Sequence, residues 1–266
     1  MTAARIPFKD LFFTREKVEH IAGEIKHVDS AFRADDFVAM VVARFPELEL
    51  KARIAWIATC LDRYLPRSFR EAASTLTRSL PAPADPALSD GDFGDFIYAP
   101  YAEYVAQHGC TAEDLEFSLA TLREITTRFS AEFAIRPFLD AFPDQVLTTL
   151  LAWTEDQHYH VRRLCSEGTR PRLPWARNLT LPHDVGIPVL DRLFADPTRY
   201  VTRSVANHVN DICKKDPELA LDTLERWRSS ALQQPREMRY VIRHGARTLR
   251  RAGHPRALDL VSSPLS

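Results

Sequence analysis

The sequence predicts an all-α protein built from repeated helix pairs, and three observations carry that prediction. Its 266 residues include only 8 glycines, and alternating β-branched runs are nearly absent, which removes the usual signature of strands. Apolar residues recur instead at i, i+3 and i+4 over long stretches, the stripe of a helix packed on one side. In the C-terminal half a local pattern returns with a spacing of 40 residues.

Taken in order, Phe8 to Val28 reads as one helix, with Val18, Ile21, Ala22 and Ile25 on one face. A second runs from Ala34 to Phe45 and a third from Leu48 to Leu65, each stopped by a proline, Pro46 or Pro66. A fourth, Phe69 to Leu80, runs into PAPADPALSDGDFGD, a loop over 81–95 between the N-terminal helices and the main repeats. Helices follow at Ile97 to Gln107, Ala112 to Ser130, Ala131 to Ala141 and Asp144 to Thr154, with connections short enough to make neighbours antiparallel. One domain over 1–266 is expected.

The repeat is explicit. Val161 with Arg163, Val201 with Arg203 and Val241 with Arg243 recur in HYHVRRLCSEG, RYVTRSVANHV and RYVIRHGARTL. About forty residues per helix pair is the period of HEAT and armadillo arrays, in which each unit buries its apolar face only against its neighbours. The expected fold is therefore a HEAT-like α-solenoid, with Arg163, Arg203 and Arg243 in a row on one concave face. One turn later that face continues with Glu167, with Asn207 and Asp211, and with Arg247 and Arg251. Upstream, Glu132 and Arg136 repeat the acid and arginine pairing at four-residue spacing. Two readings of this row stay open. It can be a set of surface ion pairs and braces between helices, or a register of cations matched to a phosphate backbone.

The stretch WTEDQHYHVRRLCSEGTRPRLPW, 153–175, concentrates the unusual chemistry. Val161, Leu164 and Cys165 form a helical stripe, Gly168 reads as the C-terminal cap, and Pro171 and Pro174 keep the helix from resuming. Arg170, Arg172 and Trp175 are expected on a stiff, cationic loop.

Several function classes are excluded or weakened. The net charge is −1, but residues 151–266 carry 19 Lys and Arg against 13 Asp and Glu, while 1–150 carry 16 against 23. The C-terminal half is thus the candidate polyanion-facing half. No apolar run is long enough to span a membrane and no signal peptide is recognisable. Cys60, Cys110, Cys165 and Cys213 show no CxxC pairing, so they read as packing residues in a reduced cytoplasm. There is no GxSxG, P-loop or dinucleotide fingerprint. His158 and His160, two apart, point to different faces of a helix and make a poor metal pair, so no metal is expected. His208 and His244 lie near the arginine row, where packing is the favoured role over phosphate contact. Trp56, Trp153 and Trp227 are assigned to the core.

The same segments carry a family resemblance. HVRRLCSEGTRPRLPWA at 160–176, RFSAEFAIRPFLDAFP at 128–143, YVTRSVANHVNDICKKDPELAL at 200–221 and YVIRHGARTLRRAGHPRAL at 240–258 resemble the AlkC branch of the AlkC/AlkD-type DNA alkylation repair proteins. FKDLF at 8–12 and LELKARIAWIATCLDRYLP at 48–66 extend the likeness over nearly the full chain. The resemblance implies a DNA glycosylase that excises N-alkylated bases, notably 3-methyladenine and, in this branch, 3-methylcytosine and 1-methyladenine, without swinging the base into a deep pocket. It implies no metal or organic cofactor. The expected partner is duplex DNA containing alkylated bases, and the expected state is a monomer. Carried over by position, Glu132, Glu167 and Asp211 resemble the family's acidic residues facing the lesion, and Trp175 its aromatic beside the damaged nucleotide. Arg163 and Arg170 resemble backbone-binding arginines, with Arg172, Arg203, Arg243 and Arg247 assigned to DNA with them. Ser266 ends the chain where many relatives continue into an immunoglobulin-like module, which is expected to be missing. The alternative from a different class is a non-catalytic HEAT scaffold that binds DNA or protein.

Overall fold

A computed structural model describes residues 7–87, 94–174 and 176–263, and among them sixteen α-helices and two short 3-10 turns account for the regular structure. They cluster into two compact units, the first made of Met1–Ala84 with Phe93–Phe138, the second of Asp85–Asp92 with Leu139–Ser266. The expected all-α repeat of helix pairs is what forms. No helix of the described residues is long and apolar enough to cross a membrane.

The first unit holds α1 (Phe8–Phe12), α2 (Arg15–Val28), α3 (Ala34–Ala43), α4 (Leu50–Tyr64), α5 (Phe69–Ser79), α6 (Ala99–His108), α7 (Leu115–Thr126) and the start of α8 (Ile135–Ala141). The single helix expected over Phe8 to Val28 is broken, because Thr14 caps α2 by accepting the Lys17 amide through its hydroxyl at 3.2 Å. Arg53 explains why the break persists. Its buried guanidinium donates to the carbonyls of Lys9, Phe13, Phe45 and Leu48 and to Asp10, tying the end of α1 to the turn before α4.

The proline-rich stretch is anchored where it is described. The Ala84 amide donates to the Thr127 carbonyl at 2.9 Å, and Arg128 Nε donates to the Pro81 carbonyl at 2.8 Å. Gly94 closes the other end with φ 72°, bridging Phe129. A Cβ there would lie 1.8 Å from the Arg128 carbonyl oxygen, so only glycine fits. Residues 88–93, the remainder of that loop, lie outside the described residues. The helix expected to run to Ser130 ends at Thr126, and the next begins at Ile135 rather than Ala131. Glu132 therefore sits in the turn before α8, where four-residue helical facing with Arg136 does not apply.

The second unit continues with α9 (Pro143–Trp153), α10 (Tyr159–Gly168), α11 (Ile187–Leu193), α12 (Arg199–Ile212), α13 (Pro217–Ser230), α14 (Pro235–Gly245), α15 (Arg247–Arg251) and α16 (Pro255–Ser262). The helices α10, α12 and α14 pack side by side, and Val161, Val201 and Val241, one from each, are fully buried. The 40-residue register in the sequence is thus a register in space. Helix α12 lies between the other two and also meets α11 and α13, so 11 of its 14 residues are buried. Trp227 is buried and stacks on Phe194 with centroids 5.0 Å apart, whereas Trp153 and Trp56 are only half-buried, Trp56 packing on α3 with its indole N–H donating to the Val41 carbonyl at 3.2 Å. Cys60, Cys165 and Cys213 are buried as expected, and burial pushes the Cys60 thiol up to about 12.

Replacing Gly94 by alanine combines a positive φ with a backbone clash, and is expected to destabilise the first unit by about 1–3 kcal/mol, read as a lower urea midpoint.

Candidate active site

The site is built where α10 ends against α12. His158 starts α10, its ring Nδ1 accepting the His160 amide at 3.2 Å, so this histidine is a helix cap. The helix runs to Gly168, and the cap at its far end is Thr169, not the glycine. The Thr169 hydroxyl donates to the Cys165 carbonyl at 2.8 Å. That tight ending turns Arg170 back onto the helix instead of outward.

Arg170 is the largest departure from expectation. The sequence places it on an open loop reaching for phosphate, yet it is buried between two carboxylates. Its Nη1 donates to Glu167 Oε1 at 2.5 Å, while Nε and Nη2 donate to Asp211 Oδ2 at 2.9 and 2.7 Å. Glu167 also receives the Ser204 hydroxyl at 2.6 Å and lies 3.5 Å from Arg163 Nη2. Asp211 receives Lys214 Nζ on its other oxygen at 2.8 Å. Two acids 44 positions apart in the chain thus share one guanidinium. The geometry defines a seat for a planar cation between oriented carboxylates.

Burial works against the ionised form of Glu167, but the charges of Arg163 and Arg170 and the hydrogen bonds from Ser204 and Arg170 outweigh it, and its carboxyl titrates below the ordinary range. Burial likewise opposes charge on Arg170, and the two carboxylates more than restore it.

Around this pair the field is positive. Arg163 lies with its guanidinium carbon 4.5 Å from the centre of the Tyr200 ring. Arg199 stacks on Tyr240 at 3.8 Å and pairs with Glu237. His244, hydrogen-bonded to Asn207 at 2.8 Å, is held down to about 4, first by burial and then by the charges of Arg247, Arg203, Arg170 and Arg199. Arg247 is itself lowered by burial and by Arg170 and Arg251, despite the opposing pull of Asp211. Arg243 and Arg172 are exposed.

Of the residues marked in the sequence, Arg163, Glu167, Arg170 and Asp211 come together in the second unit. Glu132 belongs to the first unit, where it accepts the Ser130 hydroxyl at 3.1 Å. Trp175 lies outside the described residues. Asn207, on the expected face, bonds His244, whereas Ser204 and Lys214 go unmarked in the sequence reading and His208 reads there as a packing residue. One signal was available: the register that holds Leu164 turns polar at Ser204 and His244 in the next two repeats. His208 is fully buried, its Nδ1 donating to the Ser166 carbonyl at 3.1 Å, and burial followed by the Arg170 charge keeps it down to about 4. It packs on Gly186, where a Cβ would come within 2.4 Å of its ring.

The all-α helical repeat places the chain among helical-repeat proteins, and comparison with known proteins gives the family. The chain superposes on the alkylpurine DNA glycosylase AlkC of Pseudomonas fluorescens, solved bound to DNA containing an abasic site analogue, with a TM-score of 0.84 and 34% identity. That match covers 98% of this chain and 69% of the other. The chain belongs to the AlkC family. It is also 35% identical over 249 residues to the uncharacterised protein YhaZ of Bacillus subtilis (strain 168), covering 91% of this chain but 65% of that protein, less than two thirds of its length. No protein-family profile matches the chain.

The buried groups make stability depend on pH. His208 has a folded value below its unfolded one, so its contribution is complete above about pH 6.5 and is lost as pH falls toward 4; the depressed Glu167 adds a loss at lower pH still. The unfolding free energy should therefore fall between neutral pH and about pH 4.5, by roughly 2–3 kcal/mol from His208. Urea unfolding at several pH values measures this, and a His208→Asn variant should show a flatter profile. A wild-type curve without slope over that interval would contradict the assignment.

Proposed function

We propose that this protein is a DNA glycosylase that removes positively charged N-alkylated bases from duplex DNA, the opening step of base excision repair. The substrates proposed are 3-methyladenine first, then 3-methylcytosine and 1-methyladenine. One observation carries the reading: the buried, oriented pair Glu167 and Asp211 lies inside a field of arginines dense enough to help keep His244 neutral. A phosphate backbone is the natural counterpart of that field, and a cationic sugar is what oriented acids stabilise. The likeness to a glycosylase captured on DNA with an abasic site analogue supports the same reading.

The chemistry follows from the substrate. A base methylated at a ring nitrogen is already cationic, so it departs with the bonding electron pair as a neutral molecule and needs no general acid. The barrier lies in the oxocarbenium-like sugar left behind, and a carboxylate near the anomeric carbon lowers it, as in glycosidases. Water then adds to that carbon and gives its proton to a carboxylate acting as general base. Glu167 and Asp211 are assigned to these two tasks. None of these steps calls for a metal or an organic cofactor. Arg170 is reassigned from phosphate binding to holding the acids, because its guanidinium is committed to both of them. Arg163, Arg172, Arg203, Arg243 and Arg247 are the proposed phosphate contacts.

Purified protein incubated with a duplex carrying one 3-methyladenine should release the free base. Glu167→Gln and Asp211→Asn should each lower that rate by about a hundredfold or more while DNA binding persists. Protein that binds the duplex yet leaves every alkylated base in place would instead support the non-catalytic scaffold. Arg243→Ala, at an exposed position, should weaken binding by about 1–3 kcal/mol and reduce the salt slope by about one, measured by fluorescence anisotropy at several salt concentrations.

A further inference from the structure

Ser204 and His208 stand one turn apart on α12 and grip two consecutive residues at the end of α10. The Ser204 Oγ lies 2.6 Å from Glu167 Oε2 and 2.9 Å from Ser166 Oγ, and all three residues are buried. A serine carries one hydroxyl proton, and an ionised carboxylate can only accept. The Ser204 proton therefore points at Glu167, and the Ser166 hydroxyl must supply the bond that Ser204 accepts. His208 completes the grip through Ser166. A carbonyl only accepts, so the 3.1 Å contact fixes the histidine proton on Nδ1.

A merely structural contact would not need this arrangement. The equivalent positions one repeat earlier and later are Leu164, fully buried, and His244, half-buried and bonded to Asn207, so the register accepts an apolar side chain without the cost of burying a hydroxyl and turns polar where a polar partner faces it. The polar choice makes sense only toward its partner. Arg170 meets Oε1 of the Glu167 carboxylate from the turn after its helix, and Arg163, on the same helix, comes only within 3.5 Å of Oε2. Ser204 comes from the opposing helix and pins Oε2 from a third direction.

We propose that Ser204 is a positioning residue for Glu167, the last donor of a chain running from Ser166 through Ser204 to the carboxylate. Its catalytic meaning rests on the glycosylase reading. Its effect on Glu167 does not. The charged and titratable groups around the carboxylate are Arg163 and Arg170 from the α10 side and His208, Asp211 and Lys214 from the α12 side. Removing Ser204 leaves all of them in place and takes away one neutral donor.

The test compares wild type, Ser204→Ala and Ser204→Thr by single-turnover release of 3-methyladenine from about pH 5 to about pH 8, with the duplex dissociation constant measured in parallel. Ser204→Ala should slow the chemical step about tenfold to a hundredfold without weakening DNA binding, and shift the acid limb of the profile to higher pH; Ser204→Thr should restore both. A carbon NMR titration of glutamate-labelled protein, with the Glu167 signal assigned through Glu167→Gln, gives a readout that needs no turnover. There the Glu167 carboxylate of Ser204→Ala should take up its proton at higher pH than in wild type. An unshifted titration, or an alanine variant with wild-type rate and profile, overturns the positioning role and leaves the glycosylase reading intact. Wild-type protein that releases no base while the titration still shifts overturns the function and leaves the positioning of Glu167 standing.

Discussion

Two carboxylates buried side by side are tolerable only because one guanidinium lies between them. Taking an ion out of water costs several kcal/mol even after relaxation, and like charges add to that cost. Arg170 meets both acids at once, Lys214 and Arg163 close the outer flanks, and Ser204 fills the remaining acceptor on Glu167. Glu167 is thereby held ionised, and both acids are fixed in rotation. The short α10 ending at Thr169, the inward turn of Arg170 and the register of α12 against α10 all serve that contact.

Helix α12 shows how the repeat makes this affordable. A helix packed on several sides is normally apolar all round, yet α12 carries Thr202, Ser204, His208, Asn210 and Asp211 in its buried set. Each hands its polar atoms to a neighbouring helix or turn: Thr202 to Glu237, Ser204 to Glu167, His208 to the Ser166 carbonyl, Asn210 to the Thr248 amide and Asp211 to Arg170. Apolar contacts such as Val201, Val205 and Val209 supply the packing, and these bonds set the register. The fold is a generic helical repeat. Its specificity lies in one helix whose buried polar residues each bond to a neighbouring segment.

Around the proposed centre the two signs of charge divide the work. The acids are few and immobilised, while the arginines are many and surround them on α10, α12, α14 and α15. Their like charges, with burial, keep His244 neutral and weaken the hold of Arg247 on its own proton. Such crowding is costly in isolation and is relieved by a polyanion. Under the proposed function the same layout attracts the backbone and reserves the acids for the sugar.

The amino-acid sequence alone determined the helical class, the 40-residue register of Val161, Val201 and Val241, and the identities of Arg163, Glu167 and Asp211 as residues of one neighbourhood. These follow from periodicity and residue type, which local physics and repetition impose directly on the chain. Tertiary structure alone decided that Arg170 turns inward, that Glu132 falls in a turn before its helix, and that Ser204 and His208 brace the end of α10. Arg170 reads as a loop cation because nothing local reveals Asp211, 41 residues further on, waiting to receive it. Ser204 shows the same limit: a lone serine says little until the facing helix brings a carboxylate within 2.6 Å of its hydroxyl. Periodicity reports which face of a helix is buried, whereas the partner of a buried polar atom is chosen by the neighbour that packing delivers.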